Sequence, residues 1–292
     1  RVIAAYTEAL RQMARLRSAE EGLAQHQRLL DMIRRRVAQS VSSQTDQRLA
    51  ESRTFQAANE ASYMRQGLQS ALTQLSELAG QPVRLVSGTG IGVGEPLPGA
   101  SLERVMQQAI AYSPTLRRLE FEMQTADADI GVQRSAYLPK VVLRLDRPTG
   151  GAQTDHGARA MLVLTMQPGA GLSARAGVDA AVARRAGARA AHDAAEREVR
   201  ERFTLDWTEA EASRQRLGNA GDASTTSTQV FESYARQYVI GRKSWNDVLN
   251  AVREATQAQL ALEDTRAQAL AASLRLAAQT GTLAVSPSTP AP

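Results

Sequence analysis

The residues most able to do chemistry are three histidines, His26, His156 and His192, because imidazole ligates metals and moves protons near neutral pH. They fall far apart in the chain, and none has a second histidine at the spacing a helix face would need for a metal site. There is no cysteine, which excludes disulfides, thiolate nucleophiles and cysteine-ligated zinc. The serine-rich stretches at 40–43 and 224–227 have no base nearby in sequence. The glycines of GTGIGVGE, residues 88–95, open no helix within a βαβ unit, so they read as a loop rather than a phosphate cradle. Nothing satisfies the geometric requirements of an active site, and the sequence predicts no enzyme, metal or cofactor. The formal net charge is +5, but the arginines are interspersed with Glu and Gln. Only Arg34-Arg35-Arg36 forms a run, without aromatic residues to stack bases, so solvated helix faces are expected and nucleic-acid binding is not.

The remaining polar residues of interest lie where long helical patterns are interrupted. In YVIGRKSWNDVLNA, residues 238–251, a glycine, two cations and a serine break one helical stretch, and Asp247 opens another. The break has a twin, QSVSSQT, at residues 39–45. Comparing the chain with itself at a shift of 201 residues aligns Thr7-Glu8-Ala9 with Thr208-Glu209-Ala210. The same shift aligns Ser43 with Ser244, Asp46 with Asp247, Leu75 with Leu276 and Gly80 with Gly281. Each copy reads as a helix of about 40 residues, a short polar turn and a returning helix capped by glycine, each arm about 60 Å long. Asp46 and Asp247 sit where a capping or first-turn acid favours the new helix. A connection this short makes the two helices antiparallel neighbours.

Alanine supplies much of the 43% hydrophobic content, and aromatics only 4%, as suits long helices packed along narrow seams. Leu116, Leu119, Met123, Ala126 and Ile130 follow such a seam, as do Val248, Val252, Ala255, Gln259 and Leu262. No stretch approaches the ~18 apolar residues of a membrane-spanning helix. Residues 81–101 are rich in Gly and Pro and read as a linker. Residues 102–138 form a helix pair or one kinked helix restarting at Ser113-Pro114. Residues 139–168 contain two alternating strands of about eight to ten residues around a turn at Pro148–Gly157. Residues 169–281 hold a very long helix to about Ile240, continuous through LGNAGDAS at 217–224, and its return; 282–292 is a disordered tail. Two strands alone are unstable in water, and their alternation suits either a soluble hairpin or part of a transmembrane barrel.

This order of elements resembles the TolC-like outer-membrane efflux proteins. The motifs that carry the resemblance are YSPTLRRLEFEMQTADADIGVQRSAYLPKVVL (112–143), QPGAGLSARAG (167–177), YVIGRKSWNDVLNA (238–251) and LRLAAQTGTL (274–283). In the first copy they are RRRVAQSVSSQTDQRLAESR (34–53) and LSELAGQPV (75–83). The resemblance implies a mainly α fold: long antiparallel coiled-coil helices with a two-stranded β-hairpin segment contributing to an oligomeric transmembrane β-barrel. Residue 1 then falls inside a longer repeat, and residues 1–80 are expected to be a first-copy helical hairpin whose own helix and strand pair lie upstream.

The resemblance further implies a homotrimer in the outer membrane with a periplasmic tunnel, in contact with outer-membrane lipid. It works with a periplasmic adaptor and an inner-membrane ABC or other transporter. At its constriction Asp247 matches one acid of a ring, whereas Asn250 replaces the next. Tyr238 and Lys243 match positions that tie the second hairpin to the first at Thr45 and Asp46. At the turns, Gly241 keeps a glycine that Ser40 replaces, so Ser40 must avoid or tolerate a left-handed backbone. The sequences at 241–254 and 167–176 are similar to the branch serving type I protein secretion. Multidrug or small-molecule efflux is the alternative, and a soluble periplasmic coiled-coil adaptor or scaffold the second.

Overall fold

A computed structural model describes residues 1–85, 101–135, 138–146, 158–165 and 171–283, the side chains of 171, 172 and 174 excepted. The expected Gly-rich stretch at 86–100, the strand-connecting turn at 148–157, the proline and glycines of 168–170 and the tail from 284 lie outside the described residues. In chain order the elements are α1 (Val2–Ala38), α2 (Gln44–Ala79), α3 (Leu102–Tyr112), α4 (Pro114–Ser135), β1 (Lys140–Asp146), β2 (Arg159–Thr165), α5 (Gly171–Val239) and α6 (Trp245–Thr280). The chain divides into two units, Arg1–Gln108 with Arg202–Pro292, and Ala109–Glu201.

In the first unit the two arms share one turn geometry. Five residues separate α1 from α2 and five separate α5 from α6. At the end of α1, Ser40 N donates to the Val37 carbonyl at 2.9 Å and Val41 N to the Arg36 carbonyl at 2.8 Å. At the end of α5, Gly241 N donates to Tyr238 and Arg242 N to Gln237, at 3.0 and 2.9 Å. These are the two bonds of a Schellman cap, and they recur at an offset of 201 residues. Each motif needs one left-handed residue. Gly241 supplies it at φ 76°, and Ser40 adopts it at φ 60° despite its Cβ. The serine therefore tolerates the strained backbone rather than avoiding it.

The returning helices start alike. Ser43 Oγ accepts from Asp46 N at 3.1 Å, while Asp46 Oδ2 accepts from Ser43 N at 3.4 Å. Ser244 and Asp247 repeat this reciprocal pair at 3.2 and 3.1 Å. The serines are thus the caps, and the aspartates, expected as caps or first-turn acids, are the third helical residues that close the box. Both helices end on a left-handed glycine, Gly80 at φ 69° and Gly281 at φ 72°.

Small residues set the width of the seams. Along the antiparallel α1–α2 pair, Ala5 and Ala9 cluster with Ala71 and Leu75, and Ala19 with Ala61 and Met64. Between α1 and α6, a Cβ added at the buried Gly22 would lie 2.9 Å from the side chain of Thr256, so glycine is what permits this approach. Larger residues collect where the two turns meet. There Leu29, Leu30 and Ile33 of α1, Phe231 and Tyr238 of α5, and Trp245, Val248, Leu249 and Val252 of α6 form one core with Ala50 of α2. Polar contacts hold α5 to α6 farther along. Asp206 accepts from Arg275 at 2.7 Å and from Gln279 at 2.6 Å, and Ser224 donates to Gln259 at 2.6 Å.

In the second unit Pro114 opens α4 as its first residue, where a missing N–H costs nothing. Leu116, Leu119 and Ile130 of its expected seam are buried, and Met123 and Ala126 are half-buried. Arg184 and Arg185 of α5 pair with Asp129 at 2.6 Å and Asp127 at 2.9 Å. The arginine beside Asp129 holds that carboxyl below its usual range. Strands β1 and β2 are antiparallel and seven residues each, slightly shorter than expected. Their register sets Val141 opposite Leu164, Leu143 opposite Leu162 and Leu145 opposite Ala160 on one face. The other face carries Lys140, Arg144, Asp146, Arg159 and Thr165 with Val142, Met161 and Val163.

The two turns differ at one position that matters energetically. Ser40→Gly should raise the unfolding free energy by about 1 kcal/mol, and Gly241→Ser should lower it by a similar amount. Thermal melts of the full-length protein followed by circular dichroism check both; equal shifts of the same sign would contradict the turn assignment.

Candidate functional site

Every expected site residue lies at the joined hairpin ends. Trp245 is buried at the start of α6, and its indole N–H donates to the Asp46 carbonyl at 3.1 Å. The Tyr238 ring leans on it, with centroids 5.1 Å apart. The Tyr238 hydroxyl shares a hydrogen bond of 3.1 Å with Ser42 Oγ, which also accepts from Arg36 Nε at 3.2 Å. The Arg36 guanidinium stacks on the same ring, 4.9 Å from its centroid. At the turns two atoms stitch the second arm to the first, an indole nitrogen on a backbone carbonyl and a phenol on a serine; farther along, Arg11 and Arg15 of α1 pair with Asp264 of α6 at 3.0 and 2.9 Å.

That pattern differs from the tie expected at Thr45 and Asp46. Within the chain Tyr238 reaches Ser42 instead, because its ring packs under Arg36 and directs the hydroxyl to the turn. Lys243 Nζ lies 4.1 Å from the centroid of the Tyr234 ring in its own arm, a cation–π contact. Thr45 is exposed at the second position of α2, and Asn250 is exposed one turn beyond Asp247. Arg36, Ser42 and Trp245 carry the junction without having stood out as site residues. The available signal was Trp245 itself, one of two tryptophans in the chain and placed directly after a capping serine.

The electrostatics follow from the caps. The Ser244 hydroxyl and its backbone N–H, both donating to Asp247 at the surface, hold that carboxyl below its usual range, and Lys243 adds to this. Asp247 is therefore ionised throughout the neutral range, and the cap it makes weakens only in acid, as pH falls through its lowered value. Gln47 and Arg34 lower Glu51 in the same way. The two turns enclose an open groove of about 480 Å³ lined by Arg36, Tyr238, Lys243 and the serines 40, 42, 43 and 244. Deeper in the bundle His26 is buried with Nδ1 unpartnered, and burial pushes its pKa down, so it is neutral and structural at neutral pH. No cluster of three or more His, Asp or Glu able to hold a metal occurs among the described residues. No described helix is long and apolar enough to cross a membrane.

This arrangement can hold two arms together and can present charge. Comparison with known proteins gives the same fold. A membrane protein from Pseudomonas aeruginosa superposes with a TM-score of 0.77 at 21% identity, over 96% of this chain and 66% of that one. The open-state MtrE outer membrane channel of Neisseria gonorrhoeae gives 0.76 at 18% identity, over 96% and 66%. The outer membrane protein VceC of Vibrio cholerae gives 0.74 at 16% identity, over 96% and 68%. The chain thus spans about two thirds of the length of these structures. No curated protein sequence matches it significantly. The family model described as outer membrane efflux protein matches residues 105–282, well over half of the chain. With its paired helical arms, strand pair and repeated turns, the chain belongs to the outer membrane efflux protein family.

Proposed function

We propose that the chain, with further copies of itself, forms the wall of a passive export duct across the outer membrane and periplasm. The observation that carries this reading is the two-faced strand pair. Leu143, Leu145, Leu162 and Leu164 are 65–72% exposed on one face, and the other face carries all the charged residues of the pair, Lys140, Arg144, Asp146 and Arg159, among Val142, Met161 and Val163. Such a pair is unstable alone in water, whereas a barrel places the apolar face in lipid and the polar face in the lumen. The helical arms continue the wall as staves, assembled as a homotrimer. A periplasmic adaptor and an inner-membrane transporter, of the ABC or another type, supply cargo and energy.

At the hairpin ends Asp247 lines the constriction, and Asn250 leaves a single carboxylate per chain there. Tyr238 and Lys243 hold the closed form by tying the second hairpin to the first, in the region of Thr45 and Asp46, with Tyr238 bonded to Ser42. The cargo is a polypeptide of the type I secretion class. Supporting this are the residues 241–254 and 167–176, which are similar to that branch, with Pro168-Gly169-Ala170-Gly171 departing from the aromatic and paired glycines of the efflux branch.

Two experiments test the reading. Deleting the gene in its host should remove a large protein from the medium and leave susceptibility to small toxic compounds unchanged; the full-length gene should restore secretion. Loss of resistance with normal secretion would transfer the cargo to small molecules, and no change in either would contradict the duct. In planar bilayers, Asp247→Asn should lower potassium permeability by about twofold while conserving the helix cap, since an amide oxygen still accepts from Ser244. Unchanged permeability would remove Asp247 from the constriction.

A further inference from the structure

The excess charge of this chain sits in one place. Residues 34–48 and 235–249, equivalent under the 201-residue offset, hold seven cations and only two carboxylates, Asp46 and Asp247. Their balance of +5 equals the net charge of all 292 residues, so the rest of the chain is neutral overall. The two segments are in contact, since Tyr238 meets Ser42 at 3.1 Å and the Trp245 indole meets the Asp46 carbonyl at 3.1 Å. Their fields therefore add.

Three carboxylates just outside these segments offset part of this charge: Arg34 pairs with Glu51 at 3.2 Å and lies 3.9 Å from Asp31, and Arg236 lies 3.9 Å from Glu232. Asp46 and Asp247 are folded back into capping boxes and bridge no cation across the turn. Arg36 and Lys243 lie against tyrosine rings, which leaves their charge in place. Arg35 and Arg242 are exposed and make no ion pair among the described residues. Helix dipoles cancel here, because α1 and α5 end at this point while α2 and α6 begin.

We propose that the cationic hairpin ends make the duct's entrance anion-preferring, so that it favours acidic, net-negative cargo over cationic cargo. The inference rests on the duct reading above, which places these ends at the entrance. A ring of chains multiplies the charge at a narrow mouth. Fixed positive charge there raises the local concentration of anions and excludes cations, most strongly at low ionic strength. One carboxylate per chain at Asp247 is outnumbered by the cations around it.

The test is the reversal potential of the full-length protein in planar bilayers under a potassium chloride gradient. The expected wild-type result is a chloride-to-potassium permeability ratio above 1, rising as salt is lowered. Arg35→Gln with Arg242→Gln removes two exposed, unpaired charges per chain with little effect on helix propensity, and should lower the ratio by about twofold. A wild-type channel that prefers potassium, or a ratio unmoved by the double substitution, overturns the proposal and leaves the duct standing. Absence of any channel overturns the duct and the proposal together.

Discussion

Two helices joined by only five residues must lie side by side, and everything else in this chain follows from meeting that constraint twice. A helix that stops leaves carbonyls unsatisfied, and one that starts leaves amides unsatisfied. Here both debts are met within a few residues by a Schellman cap followed directly by a serine–aspartate box. The turns consequently need no partner to close. Their outer polar atoms remain free to stitch one arm to the other, as Trp245 and Tyr238 do.

The seams explain the composition. A globule of this length would fill its centre with large side chains, whereas helices that approach through Ala9, Ala19, Gly22, Ala61 and Ala71 need few of them. Three of the four buried aromatic side chains among the described residues, Phe231, Tyr238 and Trp245, collect at the junction where four helices converge; the fourth, Phe203, lies farther along α5. That junction is the structural anchor of both arms. It is also where the charge is presented, so stability and electrostatics meet in the same turns.

How much of this could be read from the sequence depended on whether a periodic signal existed. The 201-residue offset, the 69-residue helix and the alternating strands all follow from repeats of position, and the structure has each of them. The stretch at 217–224 stays helical despite Gly218 and Gly221, because α6 packs alongside and Ser224 bonds Gln259. Side-chain partners were less legible. Periodicity says which face a residue occupies but not which atom it reaches; the resemblance ties Tyr238 to Thr45 and Asp46, and within the chain its hydroxyl meets Ser42 with Arg36 stacked on its ring. Likewise Ser43 and Ser244 outrank the aspartates as caps, since an acid three residues on is placed to accept rather than to start the helix.

The union of the two arms at their turns is the centre of the account, and proximity tests it most directly. Residues 1–292 hold no cysteine, so Ser42→Cys with Tyr238→Cys places two new thiols at the junction, each single substitution serving as the control. In the full-length protein in its membrane, a short thiol-to-thiol crosslinker should join the two positions within a single chain. Efficient labelling of both thiols with no intrachain product would contradict the account.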